Sequence, residues 1–213
     1  MMNMKMILAS ASPRRREILE NLGIQFTVQS SDFDEREHIA SEEKRLKRKL
    51  SPAEQAMSLA LQKAQTVAER MDRYDAEEFI VIGVDTCVVI DEIVLGKPAD
   101  EQEAFEMLKM LSNREHFVIS GVAVVHNNGK VEMGTEITVV KMAELLDEDI
   151  RKYIKNEYVL DKAGAYAIQG RAAAFIERIE GCYFNVVGLP VYRLAQMLRK
   201  HGLDLFDLDH RKM

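Results

Sequence analysis

Met4-Lys5-Met6-Ile7-Leu8-Ala9-Ser10-Ala11-Ser12-Pro13-Arg14-Arg15-Arg16 is the stretch from which the fold class can be read. Met4–Leu8 is a short apolar run, which predicts a buried strand. The small residues after it predict a tight turn. Ser12 suits an N-cap and Pro13 the first helical position, so a helix is predicted to begin there. Ile18, Leu19 and Leu22 share one face of that helix, and Gly23 stands where a C′ residue ends it. Strand, turn and helix in this order open an α/β protein.

Outward from that unit the pattern continues. Phe26–Gln29 predicts a second short strand, and Asp34–Lys49 is a dense run of mixed charge, the mark of a solvated helix or flap. Ser51-Pro52-Ala53-Glu54 is a capping box that opens a long amphipathic helix to about Arg73. Phe79–Val84 predicts a strand buried on both faces. Cys87–Ile90 and Ile93–Leu95 flank a tight turn at Asp91-Glu92, and Asp100 with Glu103 caps a helix to about Leu111. Two long strands, Glu115–Val125 and Val131–Met142, surround Asn127-Asn128-Gly129, the strongest hairpin signal in the chain. A helix near Asp149–Asn156, a glycine-rich segment from Gly164 to Gly188 and a last helix from Pro190 to Lys200 complete an α/β protein with a mixed sheet.

The chain has 213 residues, enough for one domain or for two small lobes sharing a cleft. Hydrophobic residues make up 47% and charged residues 30%, so a sizeable core can form in a soluble protein. The net charge of −6 argues against a nucleic-acid polymer as partner, which calls for excess Lys and Arg, but leaves room for a local basic pocket. Cys87 and Cys182 are too few for a disulfide framework or a zinc site and read as buried free thiols. Residues Met1 to Ser10 carry an apolar run too short for a signal peptide, and no stretch approaches the ~20 apolar residues that span a bilayer. A cytoplasmic location is the expectation.

Several residues carry chemistry. Arg14, Arg15 and Arg16 put three cations at the positive end of a helix macrodipole, a tension relieved if an anion sits there with Ser10 and Ser12; otherwise they face solvent. Asp85, with Thr86, follows a buried strand at the edge where α/β sheets place ligand chemistry. It can hold Mg²⁺ or orient a water, or simply cap the strand end. Lys97, between Gly96 and Pro98, is either an aimed ammonium or a surface turn lysine, and no Walker A loop surrounds it. Lys63 lies among apolar neighbours and can be a snorkelling lysine. Glu35 is a second metal-binding carboxylate or the first charge of the solvated run. Gln169 can bond a base edge or a phosphate, or serve structure alone. The five histidines show no metal or acid–base spacing, and His116 reads as structural.

Taken in order, Ile7-Leu8-Ala9-Ser10-Ala11-Ser12-Pro13-Arg14-Arg15, Asp34-Glu35, Leu59 through Ala64, Ile82-Gly83-Val84-Asp85-Thr86, Leu95-Gly96-Lys97-Pro98, Ser120-Gly121-Val122-Ala123, Asp161 through Gly170 and Asn185 through Pro190 resemble the Maf family of nucleoside triphosphate pyrophosphatases. The resemblance implies one domain over residues 1–213, with an elongated, twisted mixed sheet flanked by helices and two lobes around a central cleft, as in inosine triphosphatases. It implies metal-dependent hydrolysis, with Mg²⁺ or Mn²⁺, to a nucleoside monophosphate and pyrophosphate. Asp85 would be the proton acceptor and, with Glu35, a metal ligand. Ser10, Arg14, Arg15, Lys63 and Lys97 would bind phosphates, and Arg14, Thr86 and Gln169 would bear on substrate choice. Arg16 is left facing solvent. Ala165-Tyr166-Ala167-Ile168-Gln169-Gly170 resembles the branch acting on dTTP and UTP. Other readings are a nucleotide-binding regulator of cell division or septum formation, and a pyrophosphatase for 7-methyl-GTP or non-standard purine triphosphates. A homodimer through the Asn127-Asn128-Gly129 hairpin is compatible with the sequence. Two features depart from the family pattern: the long charged stretch Arg36–Leu50, and Ala172 where the branch commonly has glycine.

Overall fold

A computed structural model describes residues 4–71 and 78–207. Strand β1 (Lys5–Leu8) runs into helix α1 (Pro13–Asn21), followed by β2 (Thr27–Val28). The end of α1 is a Schellman motif: Ile24 N–H donates to Leu19 O at 3.1 Å and Gly23 N–H to Glu20 O at 2.8 Å, with Gly23 at φ 67°. Helix α2 (Glu35–Leu46) buries none of its residues. Its start is fixed by Asp34 Oδ1, which accepts from the N–H groups of Arg36 and Glu37, each at 2.9 Å. The charged stretch is therefore a capped helix.

Helix α3 (Pro52–Met71) starts at the expected capping box: Glu54 Oε2 accepts from Ser51 N–H at 2.8 Å, and Ser51 Oγ from Glu54 N–H at 3.4 Å. The expected end near Arg73 lies outside the described residues. Then come β3 (Phe79–Ile90), β4 (Ile93–Leu95), α4 (Glu101–Leu111), β5 (Glu115–His126), β6 (Val131–Met142), α5 (Asp147–Asn156), β7 (Ile176–Glu180), α6 (Tyr183–Val187) and α7 (Val191–Lys200).

The result is a mixed α/β fold. Its seven-stranded sheet has the order β2-β1-β3-β5-β6-β7, with β4 paired to β3. Strand β1 is parallel to β2 and β3, whereas β4 on β3 and β7 on β6 are antiparallel.

Two expectations change, and one unassigned segment gains elements. Asp85 does not end a strand: β3 continues through it to Ile90. The glycine-rich segment, for which no elements were expected, carries 3-10 turns at Ala163–Ala165 and Arg171–Phe175, the edge strand β7 and the short helix α6. Cys87 and Cys182 are free, as expected, but both are partly exposed and not buried.

The chain divides into two compact units. The first comprises residues up to Asp85, Ser120–Thr135 and those from Gly188 onward; the second comprises Thr86–Ile119 and Glu136–Val187. In the first, small side chains fill the layer between α3 and the strands: Ala60 and Ala64 pack with Ile7, Val81 and Ala123. Two glycines permit this approach. A Cβ on Gly83 would lie 2.0 Å from Ala60 O, and one on Gly121 would lie 2.2 Å from Ala56 O. The α3 backbone thus rests directly on β3 and β5, one helical turn apart. In the second unit, Leu108, Leu111, Met142 and Ile150 are completely buried in a core joining α4, α5, β5 and β6. Each such side chain contributes about 1.5–3 kcal/mol relative to exposure. Ala172 is buried in that same core. Among the described residues, no helix is long and apolar enough to cross a membrane.

Candidate active site

Lys63 sits on α3 beside the alanine face, so the close packing at Gly83 and Gly121 fixes where its side chain starts. The side chain is only 13% exposed, and its ammonium donates to Asp85 Oδ1 at 2.6 Å. The same Nζ lies 2.8 Å from Glu35 Oε1. Asp85 is 16% exposed and Glu35 50%, so the cluster runs from the sheet toward solvent. It is not a snorkelling lysine: a largely buried cation bridges two carboxylates, one from β3 and one from the first residue of α2. The short, charge-assisted contacts give the trio a defined geometry.

Asp34 and His38 hold Glu35 in place. Asp34 caps α2 at its first turn, and one turn further His38 Nε2 pairs with Ser58 Oγ of α3 at 2.9 Å. The start of α2 is therefore tied to the helix that carries Lys63.

Arg15 turns inward. Its Nη1 donates to Ser10 Oγ and to Val84 O, each at 2.9 Å, and its Nε donates to Gly188 O at 2.9 Å. One guanidinium thus ties the turn after β1, the residue before Asp85 and the entry to α7. Burial pulls the Arg15 guanidinium below its ordinary value, against the raising effect of Asp85; Arg14 lowers it further and Glu35 raises it. It stays charged regardless. Ser10 is nearly buried, and its hydroxyl oxygen also accepts from Ser12 N–H at 3.3 Å. Ser12 occupies the N-cap position without a side-chain cap bond. Arg16 faces solvent as expected and pairs with Glu20 at 2.7 Å. Arg14, beside Arg15 in the first turn, is half-buried.

Of the predicted residues, Ser10, Arg15, Glu35, Lys63 and Asp85 are linked by these contacts, and Arg14 shares their unit. Thr86, Lys97 and Gln169 belong to the second unit. Thr86 continues β3, while Lys97 and Gln169 are exposed. Gly164 N–H donates to Gly96 O at 3.0 Å, joining the turn that carries Lys97 to the segment that carries Gln169. Ala165 in that segment holds φ 62°, a left-handed conformation that costs roughly 1–2 kcal/mol for a residue with a Cβ. His116 is structural, as read: it is fully buried, and its Nε2 pairs with Tyr166 Oη at 2.7 Å. Burial lowers its pKa to about 4, and burial raises that of Tyr166.

Sequence reasoning gave no role to Gly83, Gly121, His38 or Gly188, which shape the cluster. A lone glycine inside an apolar strand signals a close backbone approach, and that clue was available for Gly83 and Gly121. Nothing local marks a carbonyl such as Val84 O as an arginine partner.

The family model described as Maf-like protein matches residues 5–201. A relative from Alkaliphilus oremlandii, named dTTP/UTP pyrophosphatase, is 48% identical over 198 residues, covering 92% of this chain and 96% of its own. Relatives with the same name from Symbiobacterium thermophilum and Caldicellulosiruptor saccharolyticus are 47% and 42% identical, covering 95% and 94% of this chain and 96% of each relative. Among solved structures, the Staphylococcus aureus Ham1 protein aligns at a TM-score of 0.46 and 10% identity, covering 92% of this chain and 99% of that one. That likeness is too distant to bear on the assignment.

Proposed function

The chain belongs to the Maf family, and from that premise we propose that it hydrolyses nucleoside triphosphates of the dTTP and UTP class to the monophosphate and pyrophosphate. The observation that carries the reading is the convergence of Asp85 and Glu35 on Lys63, next to the arginine-bearing start of α1. Phosphoryl chemistry needs an oriented water and cations around the developing charge, with little covalent help from protein.

The donor set fits a hard divalent cation. Mg²⁺ is typically held by one or two carboxylates plus substrate phosphates rather than by an all-protein cage. Asp85 and Glu35 supply two carboxylates, and among the described residues no cluster of three or more His, Cys, Asp or Glu offers a cage. Mg²⁺ or Mn²⁺ bound there supplies Lewis acidity and charge neutralisation at the anhydride. Asp85 accepts the proton of the attacking water as the bond linking the α- and β-phosphates breaks. Lys63 and Arg14 offer charge to the phosphates. Arg15 holds Ser10 in place and adds positive charge beside Asp85. In the same proposal Lys97 binds phosphate, and Arg14, Thr86 and Gln169 bear on substrate choice.

The test is pyrophosphate release from a panel of dTTP, UTP, ITP and 7-methyl-GTP with Mg²⁺ or Mn²⁺. Release is expected from dTTP and UTP and is lost in Asp85→Asn. Normal turnover by a folded Asp85→Asn variant would refute the role given to Asp85, and preference for ITP or 7-methyl-GTP would refute the substrate class.

A further inference from the structure

We propose that Lys63 keeps free divalent cations off the Asp85–Glu35 pair, so that the cation is accepted only as a metal–triphosphate complex. The inference rests on the metal-dependent reading above. Its basis is the position of one atom: Lys63 Nζ stands 2.6 Å from Asp85 and 2.8 Å from Glu35, where it pairs with both carboxylates and offsets half of their charge. The positive charge of Arg15 acts on both from the same unit. Two carboxylates, one ammonium and one guanidinium leave the cluster with no surplus negative charge to draw a dication out of water.

A free cation must also break the charge-assisted bonds of Lys63, which has only 13% exposure and gains no replacement partner. The helix beneath it limits retreat, because the α3 backbone is pressed against Gly83 and Gly121. A triphosphate changes both conditions. Its oxygens give Lys63 a new anionic partner, and its negative charge offsets that of the arriving metal. Among the described residues the cluster offers two carboxylates, so phosphate oxygens and water would complete the coordination sphere. Lys63 thus makes the nucleotide a condition of metal binding, which keeps a dication from occupying the carboxylates alone.

The experiment counts bound Mn²⁺ by electron paramagnetic resonance and follows Mn²⁺-dependent thermal shifts, with and without a non-hydrolysable α,β-imido analogue of dUTP. Wild-type protein is expected to bind Mn²⁺ alone weakly and to bind it at least about tenfold more tightly with the analogue. Lys63→Met and, as a second neutral variant, Lys63→Gln should bind Mn²⁺ alone at least about tenfold more tightly than wild type, with a rise in Tm on adding Mn²⁺. Lys63→Arg should retain the weak binding. If both neutral variants bind Mn²⁺ alone no better than wild type, while Mn²⁺ and analogue still bind together, the gating role is overturned and the metal-dependent reading stands. If no form binds Mn²⁺ even with the analogue, both are overturned.

Discussion

Replacing Gly83 by alanine tests how the packing of α3 governs the candidate site. The added Cβ would lie 2.0 Å from Ala60 O and 2.9 Å from Ala64 N, both main-chain atoms of α3. Approaches under 3.0 Å are essentially never tolerated, so the helix must retreat by about 1 Å or β3 must bow away. Neither atom can rotate aside as the end of a flexible side chain would. Overpacking of this kind costs about 1–3 kcal/mol. Lys63 rides on the displaced turn, three residues from Ala60, and would lose its 2.6 Å contact with Asp85. A displacement near 1 Å at a positioning element can cost about 10²-fold in rate. The expected result is a lower Tm together with a fall in kcat/KM for pyrophosphate release of about that size.

Gly134→Ala is the matched control. There the nearest atoms are Arg193 Nη1 and Met197 Cε, each at 3.0 Å and each at the end of a flexible chain, so little change is expected. In a double-mutant cycle, Lys63→Met should cost less in the Gly83→Ala background, because both changes remove the same contact. A Gly83→Ala protein that loses stability but keeps wild-type kcat/KM would refute the link between helix position and Lys63. Unchanged stability would refute the packing argument itself.

Other perturbations have equally definite outcomes. Arg15→Met leaves Ser10, Val84 O and Gly188 O without their shared donor and should cost about 2–3 kcal/mol in urea unfolding, with Arg15→Lys recovering only part of it. Asp34→Ala removes the carboxylate oxygen that accepts from two N–H groups of a helix with no buried residue, so amide exchange should quicken over the first turn of α2. Tm should change little, and KM should rise as Glu35 loses its anchor. His116 carries a folded pKa of about 4 against an ordinary 6.5, because it is buried. Between those values the unfolded chain binds the proton and the folded chain does not, so this contribution is full above pH 6.5 and fades toward pH 4. The loss is on the order of 3 kcal/mol, read from urea midpoints at several pH values, and His116→Phe should flatten the profile.

Local chemistry left clear marks in the sequence. Pro13 and Gly23 bound α1, Ser51 with Glu54 opens α3, Asp100 with Glu103 opens α4, and Asn127-Asn128-Gly129 turns β5 into β6. Each is a bond or backbone preference acting within a few residues, so the chain order alone reveals it. Strand β7 was not legible: Ile176–Glu180 is a short edge strand of mostly exposed residues, and it becomes a strand by pairing with β6. Asp85 was visible as a carboxylate after an apolar run, yet its place inside β3 was not. The strand outlasts the fully buried stretch that ends at Val84 and passes through partly exposed Asp85, Thr86 and Cys87.

The ordered family motifs named the cast of the candidate site. What those residues do to one another was decided by packing. Lys63 and Asp85 are 22 residues apart, and Arg15 reaches partners 69 and 173 residues away. Such meetings depend on how closely α3 can lie on β3 and β5. That distance is set by the missing side chains of Gly83 and Gly121, a steric fact that exists only once helix and sheet are face to face. The sequence by itself determined most of the elements and the chemical types at the site, through signals that act within a few residues. Tertiary structure alone decided that Arg15 serves as an internal clamp and that Lys63 stands between two carboxylates, because both depend on contacts that no local pattern encodes.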